Sequence, residues 1–385
     1  MTLELTPEQE HFRAQVCALL CDEPVRDTVA WARRLPLGEE TGLLEVYRRL
    51  GERGWLAVNW PEQYGGSGKS IVEKAIVTEE LIRHDVPENV HLLGVDIVGL
   101  AISQHGTKEQ KSRLLPALAR GEAVASVLFS EPATGSDLSG LQTRAEPDGD
   151  GWRLHGRKRY SMKAHLADFA LCAARTTPSE VSYHGITLFL VPMKNPGIRV
   201  EPLFNLSHER FCDVTLDGIR LTRADVLGDV DDGWQVINQV LPLERTGIDY
   251  AAKACRLLEG LLRHAAKTGQ LDDPACAQRL LELDAQAQAA RLLAWRCVAN
   301  LRDGAPDDVQ SAIAKWHTTE LAKQLAREAL ELTGLAGVLR AGEDQAPEGG
   351  LFEHAYREAP GLTLAGGTSE IMLYFIAASG LGLLS

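Results

Sequence analysis

The sequence contains no long basic block, no cysteine pair at CxxC spacing and no apolar run long enough to cross a membrane. Each absence removes a class of function. The net charge is −13, and an acidic chain without concentrated positive charge is not built for nucleic acid or an anionic membrane surface. Arg, Glu, Gln or Lys interrupts every apolar run, so no membrane insertion is expected. The opening MTLELTPEQEHF has neither the basic start nor the apolar core of a signal peptide, and the expected location is cytoplasmic. The seven cysteines, at 17, 21, 172, 212, 255, 276 and 297, are scattered and odd in number, which suits reduced thiols. Neither they nor the 11 histidines take metal-ligand spacing, so no metal, zinc in particular, is expected. No segment repeats another.

Apolar residues are plentiful. They make up 45% of the 385 positions, enough for two or three domains or one large composite unit. Residues 1–125 carry helical signals. Thr6-Pro7-Glu8-Gln9 reads as a capping box ahead of the stripe Phe12, Val16, Leu19 and Leu20. Ser70 with Glu73 and Thr107 with Gln110 repeat the box, and further helices are expected near Gly42–Arg53 and His91–His105. Residues 126–230 read as β-structure. Ile186–Val191 is fully apolar, and Cys212–Leu216 is expected to close at Asp217-Gly218. From 231 to 385 the pattern is helical again, with a stripe of Val236, Ile237, Val240 and Leu241 that Pro242 is expected to kink or restart. The expected fold is α+β and multidomain, with boundaries at 1–125, 126–230 and 231–385.

The organising stretch is Ser126–Thr176. It holds the bend FSEPATGSD (Phe129–Asp137), the run GRKRYS (Gly156–Ser161) and LADFALCAART (Leu166–Thr176). The bend offers backbone N–H groups and the hydroxyls of Ser130 and Ser136, while Pro132 and Gly135 keep bulk away. Such a bend suits hydrogen bonding to a flat heteroaromatic ring and its phosphates, and equally suits a surface turn. Arg153, Arg157, Lys158, Arg159 and Lys163 crowd one short window of an acidic chain. Either one of them faces a phosphate or carrier group, or together they protect a strand edge.

With WPEQYGGSG (Trp60–Gly68), LGDVDDGWQVINQVLPLERTGI and GGTSEIM (Gly366–Met372), these segments resemble, in order, the motifs of the acyl-CoA dehydrogenase family. The resemblance covers almost the whole chain. It implies an N-terminal helical domain, a central β-barrel-like domain and a C-terminal four-helix bundle. It also implies FAD between the β domain and the bundle, and α,β-dehydrogenation of an acyl thioester, on CoA or a carrier protein. A carboxylate would take the α-proton and flavin N5 the β-hydride, with an electron-transfer acceptor to reoxidise the flavin. By position, Phe129, Ser130, Gly135, Ser136, Tyr160, Ser161 and Met162 would contact the flavin, and Thr368 and Glu370 the cofactor's ADP portion. Ser136, Arg245 and Gly367 would lie on the substrate side. Thr368 also reads as a plain helix cap, and Tyr160 as a strand aromatic on the core. Met162 stands where the family often has Thr, so its backbone N–H or Ser161 would have to serve.

The chain departs from the family pattern at Gly366, where many members carry the catalytic Glu. Members that resemble isovaleryl- and long-chain enzymes place the base before an Arg on the first bundle helix, and here that position is Glu244, followed by Arg245. If Pro242 restarts the helix, Glu244 becomes a first-turn residue whose anion the helix dipole favours. The family's Arg-x-Phe-Gly motif is replaced by KTGQLDDPACAQR, and its Gln-x-x-Gly-Gly element is reduced around Gly334 and Gly337. Both changes resemble the branch in which two different subunits pair and act on bulky or steroid-like thioesters. A homo- or hetero-oligomer, dimer or tetramer, is therefore expected. The alternatives are a flavin monooxygenase on the same fold and a non-catalytic partner subunit.

Overall fold

The computed structural model describes residues 4–32, 34–35, 44–86, 92–207, 209–244 and 246–383. The N-terminal block is helical: α1 (Pro7–Leu20), α2 (Glu23–Ala32), α3 (Leu44–Gly51), α4 (Ile71–Arg83), α5 (Leu100–His105) and α6 (Lys108–Ala119). All three expected capping boxes form, each with the reciprocal pair of bonds that satisfies two backbone donors. Positions 42, 43 and 91, where two expected helices begin, lie outside the described residues. Leu92–Gly99 is π-helical rather than α-helical and runs straight into α5. A Cβ on Gly99 would stand 2.3 Å from the Trp60 ring, so this wide turn is where the backbone meets an indole.

The central block is one mixed sheet of eight strands: β1 (Ala125–Leu128), β2 (Arg144–Asp148), β3 (Gly151–Met162), β4 (Phe169–Arg175), β5 (Ile186–Pro192), β6 (Ile198–Leu203), β7 (Phe211–Thr222) and β8 (Val226–Leu227). Its order is β6-β7-β3-β2-β4-β5-β8, with β1 parallel to β4, and it does not close on itself. Asp217-Gly218 does not end a strand. Leu154 faces Ile219 and Gly156 faces Leu216, so His155 opposes two residues and β7 continues through a bulge. Gly218 supplies the positive φ of +65° that such a bulge needs. A second bulge lies on β3, where Arg159 and Tyr160 together oppose Asp213.

The C-terminal block comprises α7 (Gly233–Glu244), α8 (Ile248–Thr268), α9 (Pro274–Arg302), α10 (Asp308–Thr333), α11 (Leu351–Leu362) and α12 (Ser369–Phe375). Leu257, Leu283, Leu325 and Phe352, one from each of α8 to α11, share a single core, the expected four-helix bundle. The helical blocks also pack together, through α4 against α8 and α9. Glu79 on α4 ties them. It is 3% exposed and accepts from Arg13 at 2.6 Å, from Arg291 at 2.8 and 3.2 Å, and from Trp295 at 3.3 Å. Burial alone would raise its pKa. The hydrogen bond and charge of Arg291 and the charge of Arg13 outweigh that, and hold it below the usual carboxylate value.

Breaking a buried pair strands its partner charges, which typically costs about 3–5 kcal/mol. Glu79→Gln should therefore lower the denaturant midpoint by an amount equivalent to about 3 kcal/mol. Because the folded pKa is depressed, this contribution is present above the unfolded carboxylate value of about 4.3 and fades as pH falls through the folded one. The gap between wild type and variant, followed by circular dichroism in urea, should narrow in acid.

Candidate active site

The bend after β1 is anchored from below by a buried ion pair. Glu131, 6% exposed, accepts the backbone N–H of Gln142 at 2.7 Å and of Thr143 at 2.9 Å, and the Lys158 ammonium at 2.8 Å. Lys158 is wholly buried and also donates to the Phe129 carbonyl at 3.1 Å. The Arg159 N–H donates to the Ser130 carbonyl at 2.8 Å, and Ser126 Oγ donates to the Met162 carbonyl at 2.8 Å. FSEPATGSD and GRKRYSM, far apart in sequence, are thus held side by side. Burial would raise the Glu131 carboxyl, but the Lys158 charge and the hydrogen bonds of Lys158, Thr143 and Gln142 hold it below the usual range.

Tyr160 is not a core aromatic. It is 59% exposed, sits at φ +57°, carries the Arg159 guanidinium 5.6 Å from its ring centre, and meets Phe211 edge-on at 6.5 Å. A positive φ on a non-glycine residue is strained and collects at functional sites. Ser161 beside it is 2% exposed, and its Oγ has no hydrogen-bond partner. Thr134 Oγ1, in the bend, is likewise buried without a partner. An unsatisfied buried hydroxyl costs about 1–3 kcal/mol. One beside an exposed, strained tyrosine and one in the bend fit a ligand with a flat ring and many hydrogen-bonding atoms. Gly135 and Ser136 are exposed, and a Cβ on Gly135 would meet nothing within 4 Å.

Four of the five clustered basic residues are engaged by carboxylates. Arg153 lies 3.0 Å from Asp148, Lys158 pairs with Glu131, and Lys163 lies 2.8 Å from Glu209. Arg157 makes a bidentate pair with Asp213 at 2.6 and 2.7 Å. Arg159 makes no ion pair among the described residues.

Beneath Phe129 lies a small apolar cavity. Ile97 and Ala101 line it from the N-terminal block, Leu171 and Leu188 from the sheet, and Val236, Ile237 and Val240 from α7. All three blocks meet here. Pro242 does not restart the helix: α7 runs through it to end at Glu244. Glu244 is therefore a last-turn residue, not a first-turn one, and the dipole there presents partial negative charge. The Glu244 side chain and the whole of Arg245 lie outside the described residues.

The GGTSE loop is held by α10. Lys315, 2% exposed, donates to the Gly367 carbonyl at 2.6 Å and lies 6.0 Å from the Tyr250 ring centre. Ser369 Oγ donates to Glu320 at 2.7 Å. Thr368 is the N-cap of α12, its hydroxyl accepting from the Ile371 N–H at 3.3 Å, and Glu370 is exposed in the first turn. Gly366 sits at φ +64°, and a Cβ there would lie 3.3 Å from Tyr250 Oη. Among the described residues no hydrogen bond joins this loop to Phe129–Met162. Lys315 and Tyr250 had no signal in the sequence beyond their places on amphipathic helices.

Fold and site together define a flavin-dependent oxidoreductase of CH–CH groups. Family models for the N-terminal, middle and C-terminal domains of acyl-CoA dehydrogenases match residues 6–122, 126–219 and 231–381. Acyl-CoA dehydrogenase IpdE1 of Mycobacterium tuberculosis is 30% identical over 97% of this chain and 97% of its own. Acyl-CoA dehydrogenase FadE26 of the same organism is 29% identical over 100% of this chain and 99% of its own. The solved Tcur3481-Tcur3483 steroid ACAD matches with a TM-score of 0.91 at 29% identity, covering 100% of both chains. The ChsE4-ChsE5 complex from Mycobacterium tuberculosis matches at 0.90 and 28%, again over 100% of both. The chain belongs to the acyl-CoA dehydrogenase family. Its cofactor is FAD, and its reaction class is acyl thioester dehydrogenation. Among the described residues no helix is long and apolar enough to cross a membrane.

Lys158→Met should leave Glu131 buried and unpaired, at a cost of about 3–5 kcal/mol, while the double change with Glu131→Gln should recover part of it. Flavin absorbance per chain should fall in the single variant, since the bend loses its anchor. Equal midpoints for the single variant and wild type would show that the pair carries no such load.

Proposed function

We propose that this enzyme desaturates a bulky, steroid-like acyl thioester, with Glu244 as the base that takes the α-proton. The observation that supports this most is the cavity under Phe129, where α7, the helix that ends at Glu244, meets the segment assigned to the flavin ring. Gly366 supports it from the other side, because glycine at the family's usual base position cannot accept a proton. Bound FAD supplies the β-hydride acceptor at its N5. The chain does the rest. Phe129, Ser130, Tyr160, Ser161 and the Met162 backbone hold and orient the ring, with the unpaired Ser161 hydroxyl as a donor in reserve. Gly135 and Ser136 face the phosphates or the carrier, and Thr368 and Glu370 face the ADP portion. Gly367, whose carbonyl Lys315 fixes, presents its N–H to the thioester carbonyl. Arg159 steers the anionic carrier, and Arg245 lies beside the base.

The domains implied are 1–125, 126–230 and 231–385. The relatives named as the Tcur3481-Tcur3483 and ChsE4-ChsE5 complexes support an oligomer with a second, different subunit, and a cytoplasmic electron-transfer acceptor completes the cycle.

Glu244→Gln keeps the shape and removes the proton acceptor. Its rate of anaerobic flavin bleaching by a steroid-like acyl thioester should fall on the order of 10²–10⁴-fold, with flavin content unchanged. A variant that binds FAD and bleaches at the wild-type rate would remove Glu244 from this role.

A further inference from the structure

Two helices of the N-terminal block each end on a pair of side chains one turn apart. Cys17 and the C-cap residue Cys21 are spaced i, i+4 at the end of α1, which sets both on one face. Glu80 and the C-cap residue His84 repeat the spacing at the end of α4. The helices pack together, and the two pairs meet. Ligand atoms of Cys17, Glu80 and His84 all lie within 4.8 Å of one another. Cys17 Sγ is 3.2 Å from Glu80 Oε2 and 3.9 Å from His84 Nε2, and Cys21 Sγ is 3.5 Å from the same Nε2.

The imidazole is oriented for a ligand. His84 Nδ1 stands 2.8 Å from the Glu80 backbone carbonyl. A carbonyl only accepts, so Nδ1 carries the proton and Nε2 turns its lone pair toward both sulfurs. The same bond fixes the tautomer of metal-bound histidines. Zn–S bonds of about 2.3 Å and Zn–N bonds of about 2.0 Å at tetrahedral angles separate sulfur from nitrogen by about 3.5 Å. The Cys21 distance of 3.5 Å matches that separation, and the Cys17 distance of 3.9 Å is slightly longer. Glu80 is 2% exposed, and its Oε1 makes no hydrogen bond. Thiol donation, from Cys17 to Glu80 and from Cys21 to His84 Nε2, accounts for these contacts pair by pair. A metal ion would account for a carboxylate, an imidazole lone pair and two thiols converging on one point.

We propose that Cys17, Cys21, Glu80 and His84 form a structural zinc site that staples the end of α1 to the end of α4. The sequence hides it because each ligand pair is spaced for a helix rather than for a loop. Two sulfurs and a nitrogen select zinc over magnesium or calcium. Cys17, Glu80 and His84 already meet within 4.8 Å, and Cys21, which lies outside that group but 3.5 Å from His84 Nε2, would complete a tetrahedral shell by turning in. Thiolates are the ligands, so binding releases both thiol protons to solvent. Two thiolates and a carboxylate carry one more negative charge than a divalent ion neutralises. The guanidinium groups of Arg13 and Arg83, 3.4 and 3.9 Å from Glu80 Oε1, offset the excess.

The full chain, stripped with a chelator, dialysed against zinc sulfate and desalted, should retain about one zinc per chain by plasma mass spectrometry. Cobalt(II) added to the stripped protein should give tetrahedral ligand-field bands at wavelengths beyond the flavin absorption. Changes around a metal site cost on the order of 10–100-fold in affinity, and loss of a direct ligand in Cys21→Ser or His84→Gln should cost at least that. Both sites are close to the surface, so the variants should fold and keep wild-type flavin content. Wild type that retains no zinc, or a Cys17→Ser/Cys21→Ser double variant that retains it as tightly as wild type, would overturn the proposal.

Discussion

The buried contact between Glu131 and Lys158 is the constraint from which the rest of the site follows. Taking two charges out of water is costly, and it is tolerated here because each ion has further partners: two backbone N–H groups on the carboxylate, a backbone carbonyl on the ammonium. Those extra partners lie in the bend after β1 and in the residues before β2. The ion pair therefore fixes the path of a loop that has few apolar anchors of its own. With that loop set on β3, Phe129 is presented to α7, and the three blocks of the chain acquire a common meeting point. The strained Tyr160 follows as well. The bulge on β3 falls immediately after the lysine, where the strand must turn its side chains outward again.

Glu79 and Glu80 show how one helix serves two purposes. Adjacent residues on an α-helix point about 100° apart. Glu79 turns toward the bundle and gathers Arg13, Arg291 and Trp295, while Glu80 turns toward the end of α1 and meets Cys17 and His84. The N-terminal block is thereby docked to the C-terminal one by a polar knot inside a largely apolar interface. Such a knot sets register more than it adds stability.

What could be read from the sequence was local. Capping boxes depend on residues three apart, and all three formed. The long apolar strand at Ile186 and the amphipathic stripes of the bundle also emerged as periodicity implies. The failures were tertiary. Asp217-Gly218 looks like a turn, but its left-handed glycine serves a bulge because β3 continues alongside. Pro242 looks like a kink or a restart, yet the helix runs through it to Glu244. Tyr160, expected at the flavin with a core aromatic as the alternative, is turned outward by a second bulge. Within the site, the contiguous segments were legible as runs. Lys315, Tyr250 and the group around His84 were not, because their partners come from helices far apart in sequence.

Gly366 bears on how this branch of the family could change over time. Its backbone is in the left-handed region, and Tyr250 Oη occupies the space beside it. A side chain placed there would meet roughly 1 kcal/mol of backbone strain before any gain in chemistry, and would press on the hydroxyl of a tyrosine that is itself packed beside Lys315. A side chain at this position has to bear the left-handed backbone and move the Tyr250 hydroxyl by a few tenths of an ångström at once, so the two costs fall on a single substitution.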